Sequence, residues 1–522
     1  MKSDSDKEAK HLDRLIQESL FAQLQQIDQR LYQIEHGESA FKGSAPAQGS
    51  SSLQQVRTEL TELAKTVNLV NQRAANMRLD RQILLTFKRL ITLSPVKSLI
   101  KDITKKNQLD ALAKERRDLA LEITKKMTIE SDVIVVCPAY PGGDRAYGGE
   151  FVQKRIEAYH AAGIKVAVIE VSNSRKELSS SIFGGVRVVR VNPAGLNKIL
   201  RLSTFKILAA HSVEKPIWAE LKIYADKKPI VIWVHGFEAR NWKELAFNFS
   251  AKELETLEPR LELANKDRKQ TMSEVFAHEN VETIFVSNFM KNIAETFADQ
   301  KAQSSHIIHN SINQDDFPYV PKLAKHRKKI LWVRTFAAHN YSNDISRDVI
   351  LELSKKPYFN ELEFSIFGDG RFFDESVDPL RNFSNVRIER RFLSIEELRE
   401  QHEKHGLMLV PSRWDSQGLT CGEAMSSGLV VLTNEVAGIP EFVDKKCGIV
   451  APFEDVNTIV EGVDRLYNDD RKFLKMSKAA ARRSAKQCGV HSTLDVEISL
   501  LSNKLDENKN FLTDKDDDDE MN

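Results

Sequence analysis

Cysteine is scarce in this sequence. Only Cys137, Cys421, Cys447 and Cys488 occur in 522 residues, and no two share a paired or metal-like spacing. That argues against a disulfide framework and implies free thiols in a reducing compartment. No run of about 18 uncharged apolar residues exists, so no segment qualifies to cross a bilayer. The opening residues, MKSDSDKEAKHLDR, lack the apolar core of a secretory signal, and a cytoplasmic location is expected. Excess charge is missing too. The formal net charge is +1, which gives no ground for a nucleic-acid partner, and none is expected.

What is present is length and apolar content. A chain of 522 residues is too long for one ordinary domain, and two or three are expected. Apolar residues make up 41% and charged residues 29%, as in a globular protein with some solvated helix. The chain changes character three times. Leu20, Leu24, Ile27, Leu31 and Ile34 follow alternating steps of four and three. A Gly/Ser linker over 37–52 interrupts the seam. It resumes at Leu53, Val56, Leu60, Leu63, Val67 and Val70, and continues through Ala74 to Met77. This heptad spacing predicts a helical coiled coil over 1–80, with a homodimer as its simplest product. Amphipathic helices folded onto the globular body are the alternative.

A basic amphipathic segment follows over 81–130. Arg81, Lys88, Arg89, Lys97, Lys101, Lys105 and Lys106 are opposed only by Asp102, and apolar residues lie between them. Interleaving of this kind suits a helix lying on an anionic membrane surface, so peripheral contact through 81–106 is one expectation. A helical hairpin bent at Pro95 and packed on the next domain is the other.

From Ser131 the pattern is strand, glycine-rich loop, helix, strand: DVIVVCPAY, PGGDRAYGG, EFVQKRIEAYHAAG, IKVAVIEV. Further strands are FKILAAHS, PIVIWVHG and ETIFVSN. The pattern restarts with KKILWVRTF, LEFSIFGDG, LMLVPS and LVVLT. Two α/β halves in tandem, 131–322 and 323–500, predict doubly wound Rossmann-like domains facing a cleft. An acidic tail over 501–522 is expected to be disordered.

The stretch WDSQGLTCGEAMSSGLVVLTNEVAGIPEF places Asp415 and Glu423 with seven residues between them, among small residues. A helix beginning near Gly418 would point open N–H groups and a partial positive charge at the preceding loop, which suits a phosphate. Glu423 would lie about one and a half turns into it. The two carboxylates then grip separate hydroxyl-bearing ends of a long ligand. They do not flank one bond, as a glycosidase pair must. Gly148 and Gly149 precede a helix and are placed near the site. Glu441 either caps the helix that Pro440 starts or reaches the ligand.

With its flanks, this stretch resembles the donor-site signature of the retaining glycosyltransferases of family 4, which have the GT-B fold. The signature is an acid, seven residues, Glu-Ala-Met, two small residues and Gly, then a strand and Gly-x-Pro-Glu. PGGDRAYGGEF, VHG, HIIHNSINQDDF, WVRTF and FGDG follow in the order that the family shows. The resemblance covers about 131–490 and implies a hexosyl-type transferase. A nucleotide-sugar donor would bind the second domain, and a glycan or lipid-linked acceptor the first, in bacterial surface-polysaccharide synthesis. It also implies roles. Asp415 contacts the donor sugar, Glu423 the ribose, and His235 the donor. Arg334, Gly418, Leu419 and Thr420 hold phosphate, and no cofactor or metal is required. Two positions depart from the pattern. Asp415 stands where Glu is usual, and His339 stands where a lysine is usual, leaving Arg334 or a lysine elsewhere to carry the charge. Alternatives are an inactive GT-B scaffold, or an epimerase or phosphorylase of the same fold.

Overall fold

The structure, a computed structural model, describes residues 127–141, 149–173 and 178–519. The expected coiled coil, the linker 37–52, the membrane segment 81–106 and Gly148 lie outside the described residues.

The first sheet holds β1 (Val133–Cys137), β2 (Val166–Val171), β3 (Ser179–Phe183), β4 (Val186–Val191), β5 (Ile207–His211), β6 (Ile230–Val234), β7 (Val281–Phe285) and β8 (Ser304–Ile307). Their order is β3-β4-β2-β1-β5-β6-β7-β8. β3 alone runs antiparallel, against β4. Runs such as VIVVC and IVIWV are buried along their whole length, as parallel strands covered on both faces must be. The second sheet holds β9 (Lys329–Val333), β10 (Glu363–Gly368), β11 (Val386–Arg390), β12 (Leu407–Leu409), β13 (Val430–Asn434) and β14 (Gly448–Ala451). Its order is β11-β10-β9-β12-β13-β14, and every pairing is parallel. The sheets are the two doubly wound domains expected from the sequence.

Each strand order reverses once, at β1/β5 in the first sheet and at β9/β12 in the second. Ligands of doubly wound sheets bind beyond the carboxyl ends of strands at such points. Helix α1 (Glu150–Ala161) follows β1. Helix α2 (Ala251–Ala277) starts from a capping box between Ser250 and Glu253, and α3 (Asn288–Ala298) follows β7. In the second domain α4 (Leu419–Ser426) follows β12, and α5 (Ile439–Phe442) follows β13. Helix α6 (Asp470–Cys488) packs behind α4, with Ser484 Oγ donating to the Gly422 carbonyl at 2.8 Å.

Two expected boundaries move. Ile312 and Phe317 already pack in the second domain's core, ahead of residue 323. The chain then crosses back: helix α7 spans Leu494–Asp519, with Leu501 and Leu505 buried against the first sheet. The stretch expected to be a disordered tail from 501 is therefore helical through Asp519. The apolar face at its start has a core to enter.

Candidate functional site

The site loop begins where β12 ends. Gly418 adopts φ 77° and ψ 58°, a left-handed conformation, and a Cβ there would lie 2.5 Å from Ile439 Cδ1. Only glycine meets both conditions without strain. Asp415 Oδ1 accepts the backbone N–H groups of Gly418 at 2.7 Å and Gln417 at 3.2 Å, and its carbonyl accepts that of Gly438 at 2.9 Å. One carboxylate oxygen thus shapes the loop that leads into α4. The Gln417 amide clamps the crossover segment, accepting from Asn310 N at 2.7 Å and donating to Asn310 O at 2.9 Å. Helix α4 begins without a side-chain cap, so the first N–H groups keep their donor capacity. Arg334, one residue beyond β9, lies beside that turn. Its guanidinium donates to Ser412 Oγ at 2.6 Å and to Thr420 Oγ1 at 3.4 Å. Its Nε is buried with no hydrogen-bond partner.

Between the domains lies a cavity of about 310 Å³. Gly149, Phe151 and Arg155 line it from the first domain, and Leu419 and Glu423 from the second. Gly149 has φ 83°, and a Cβ there would meet the Ala139 carbonyl oxygen at 2.3 Å, so bulk is excluded where α1 starts.

His235 follows β6 and sits against Phe151, with ring centroids 4.7 Å apart. Its Nε2 is 3.0 Å from Nδ1 of His211, the last residue of β5. Its backbone N–H and that of Gly236 are accepted by Glu238, whose pKa burial raises. Burial and the Arg155 guanidinium hold the His235 pKa down to about 3 and depress that of His211 well below the ordinary histidine range, so both imidazoles are neutral. Arg155 Nε donates to both carboxylate oxygens of Glu497 at 3.1 Å, and its Nη2 to Asn310 at 3.0 Å. Tyr159 Oη at 2.6 Å and Trp233 Nε1 at 3.1 Å complete the shell of Glu497.

The expected site residues are thus partly gathered. Gly149, Leu419 and Glu423 line the cavity, Gly418, Thr420 and Arg334 stand at the start of α4, and His235 stands behind Phe151. Asp415 is held in the loop, outside the cavity lining. Glu441 is used elsewhere: its carboxylate accepts Asn288 N and Nδ2, each at 3.0 Å, and the N–H of Phe289. It does not cap α5, the first of its two expected roles. It caps α3 of the first domain and ties the domains together. His339 packs against Phe372, the rings tilted by 33° with centroids 4.1 Å apart. Arg413 is held by Asp344 and Glu454, and its pKa is raised.

Sequence reasoning did not single out Arg155, Phe151, His211, Gln417 or Glu497. One signal was available: the apolar strands ILAAH and IVIWV both run into a histidine. Glu497 lies 342 residues from Arg155, too far for any local pattern to pair them.

Residues 327–469, which include Arg334, Asp415 and Glu423, match the model of the family "Glycosyl transferases group 1". An uncharacterized 41.2 kDa protein in the cps region of Klebsiella pneumoniae is 32% identical over 122 residues. That match covers 22% of this chain and spans about a third of the relative, 32% of its length. Among solved structures, sucrose-phosphate synthase from Thermosynechococcus elongatus superposes with a TM-score of 0.55 at 15% identity, over 72% of this chain and 99% of that one. A trehalose-6-phosphate structure from E. coli bound with UDP-2-fluoro glucose gives 0.52 at 13%, over 71% and 99%. Anabaena HepE in complex with UDP gives 0.51 at 12%, over 71% and 100%. The fold is therefore that of the GT-B glycosyltransferases, and its second domain carries the sequence signature of glycosyl transferases group 1.

Proposed function

We propose that this protein is a retaining glycosyltransferase that moves a sugar from a nucleotide-sugar donor to a glycan or lipid-linked acceptor. The observation that carries the reading is Glu423 in the interdomain cavity, on a helix whose uncapped start lies beside Arg334. A carboxylate suits the ribose hydroxyls, and helix N–H groups with an adjacent guanidinium suit a diphosphate. The family match includes these residues, and GT-B relatives hold UDP or a UDP-sugar analogue. The cps-region relative supports a role in surface polysaccharide synthesis.

In this reading catalysis is mainly positioning of donor and acceptor and stabilisation of the departing diphosphate. Arg334 and the α4 N-terminus supply that stabilisation, and no metal is required. His235, neutral and packed behind Phe151, contacts the donor by hydrogen bonding. Asp415 retains one carboxylate oxygen beyond its loop contacts for a sugar hydroxyl. The test is release of nucleoside diphosphate from a panel of nucleotide sugars, with and without EDTA. Turnover that survives the chelator supports the reading. Turnover abolished by EDTA and restored by manganese would overturn the metal-free part, and no turnover of any donor would overturn the whole.

A further inference from the structure

Two histidines stand at the carboxyl ends of neighbouring strands. His211 closes β5 in register with Trp233 of β6, and His235 comes two residues later. The His211 ring stacks on Trp233, with centroids 4.7 Å apart at 26°, and meets His235 edge to edge in nearly the same plane, with centroids 5.3 Å apart at 24°. It is 1% exposed and packed face-on against Trp233. Its Nδ1 faces His235 Nε2 at 3.0 Å, and its Nε2 is buried without a hydrogen-bond partner. Nδ1 of His235 makes no hydrogen bond among the described residues, and the residue is partly exposed.

Two neutral imidazoles that share a hydrogen bond need one donor and one acceptor. If His235 donated from Nε2, His211 would carry its own proton on the enclosed Nε2, leaving a buried N–H with no acceptor. Buried N–H groups are rarely left in that state, and an unfilled acceptor is tolerated somewhat more often. The reverse arrangement leaves only a lone pair enclosed.

We propose that His211 is a positioning residue for His235: His211 Nδ1–H donates to His235 Nε2, fixing the tautomer in which His235 keeps its proton on Nδ1. His235 then offers the cleft a hydrogen-bond donor, suited to a hydroxyl or phosphate oxygen, and is not available as a base. This rests on the reading of the cleft as a donor site only for what His235 touches. The tautomer itself is a property of the resting protein.

The experiment has two arms. In the first, nitrogen-15 histidine spectra of the full chain without sugar report which ring nitrogen of His235 bears the proton. Protonation on Nδ1, unchanged from about pH 5 to about pH 8, is expected, and protonation on Nε2 would overturn the proposal. In the second arm, donor turnover is compared for His211→Phe and His211→Asn. Phenylalanine keeps the ring's bulk and loses the donor, whereas asparagine is smaller but places an N–H near the position of Nδ1. About a tenfold loss in the Phe variant, mostly recovered in the Asn variant, is expected. The opposite order, with Phe tolerated and Asn not, would mean that His211 only fills space. The spectra decide the tautomer even if no donor is turned over.

Discussion

On the first domain's side of the cleft most polar contacts run between side chains. Arg155, Glu497, Tyr159, Trp233, His211 and His235 hold one another across four elements, α1, β5, β6 and α7. On the second domain's side most run to the backbone: Asp415 to two N–H groups, Gln417 to Asn310, and Glu441 to the start of α3. The first arrangement fixes protonation and ring orientation by burial. The second leaves the N–H groups at the start of α4 open and keeps bulk away from them. In the proposed reading, a hydrogen-bonding wall thus faces an anion-binding one.

The difference predicts unequal sensitivity. Breaking the side-chain network should cost the most. Arg155 and Glu497 are 2% and 0% exposed, and removing one partner of a buried ion pair leaves the other charge uncompensated. Glu497→Ala should lower unfolding stability by about 3–5 kcal/mol, read from urea denaturation. A loss under about 1 kcal/mol would mean that the network is not what holds α7 to the first domain.

On the other wall the expected cost is smaller and comes from shape. Gly418→Ala forces a left-handed alanine against Ile439, and about 1–3 kcal/mol of strain is expected. Nucleoside diphosphate binding should weaken with it, because the first turn of α4 must shift. Normal binding in a folded variant would show that the turn does not face the ligand.

A third prediction tests histidine burial in both domains through pH. His235 and His402 are held to about 3, His405 to about 4, and His211 well below the ordinary range, in each case chiefly by burial. The unfolded chain therefore binds protons that the folded chain refuses. Stability is fully present above about pH 6.5 and falls as pH drops toward 4 and below. Each histidine contributes a slope of up to about 1.4 kcal/mol per pH unit. Melting temperature measured from pH 7 to pH 4.5 should fall steadily. A flat profile would contradict neutral buried imidazoles.

Much of this was legible in the sequence because it is local. Continuous apolar runs marked the central strands, since a parallel strand covered on both faces has no polar side to show. The small residues around Glu423 marked α4 and its open start. What was not legible depends on distance along the chain. Glu441 reads locally as a cap or a ligand contact, and only the docked first domain shows where its carboxylate goes. The acidic stretch after 500 reads as solvated, but α7 is fixed by Glu497, Leu501 and Leu505 finding a core in the other domain. His211 gains its meaning from strand register, which no spacing within the sequence records.

The central claim is that Glu423 holds the ribose of a nucleotide donor. Calorimetry tests it most directly, comparing a nucleoside diphosphate with its 2′,3′-dideoxy form on the unaltered protein and on Glu423→Gln. Hydrogen bonds to a charged group are worth about 1.5–3 kcal/mol, so losing the hydroxyls should weaken binding at least about tenfold in the unaltered protein. The same loss should nearly vanish in the variant, because the partner is already gone. An equal penalty in both proteins would place the ribose away from Glu423 and contradict the account.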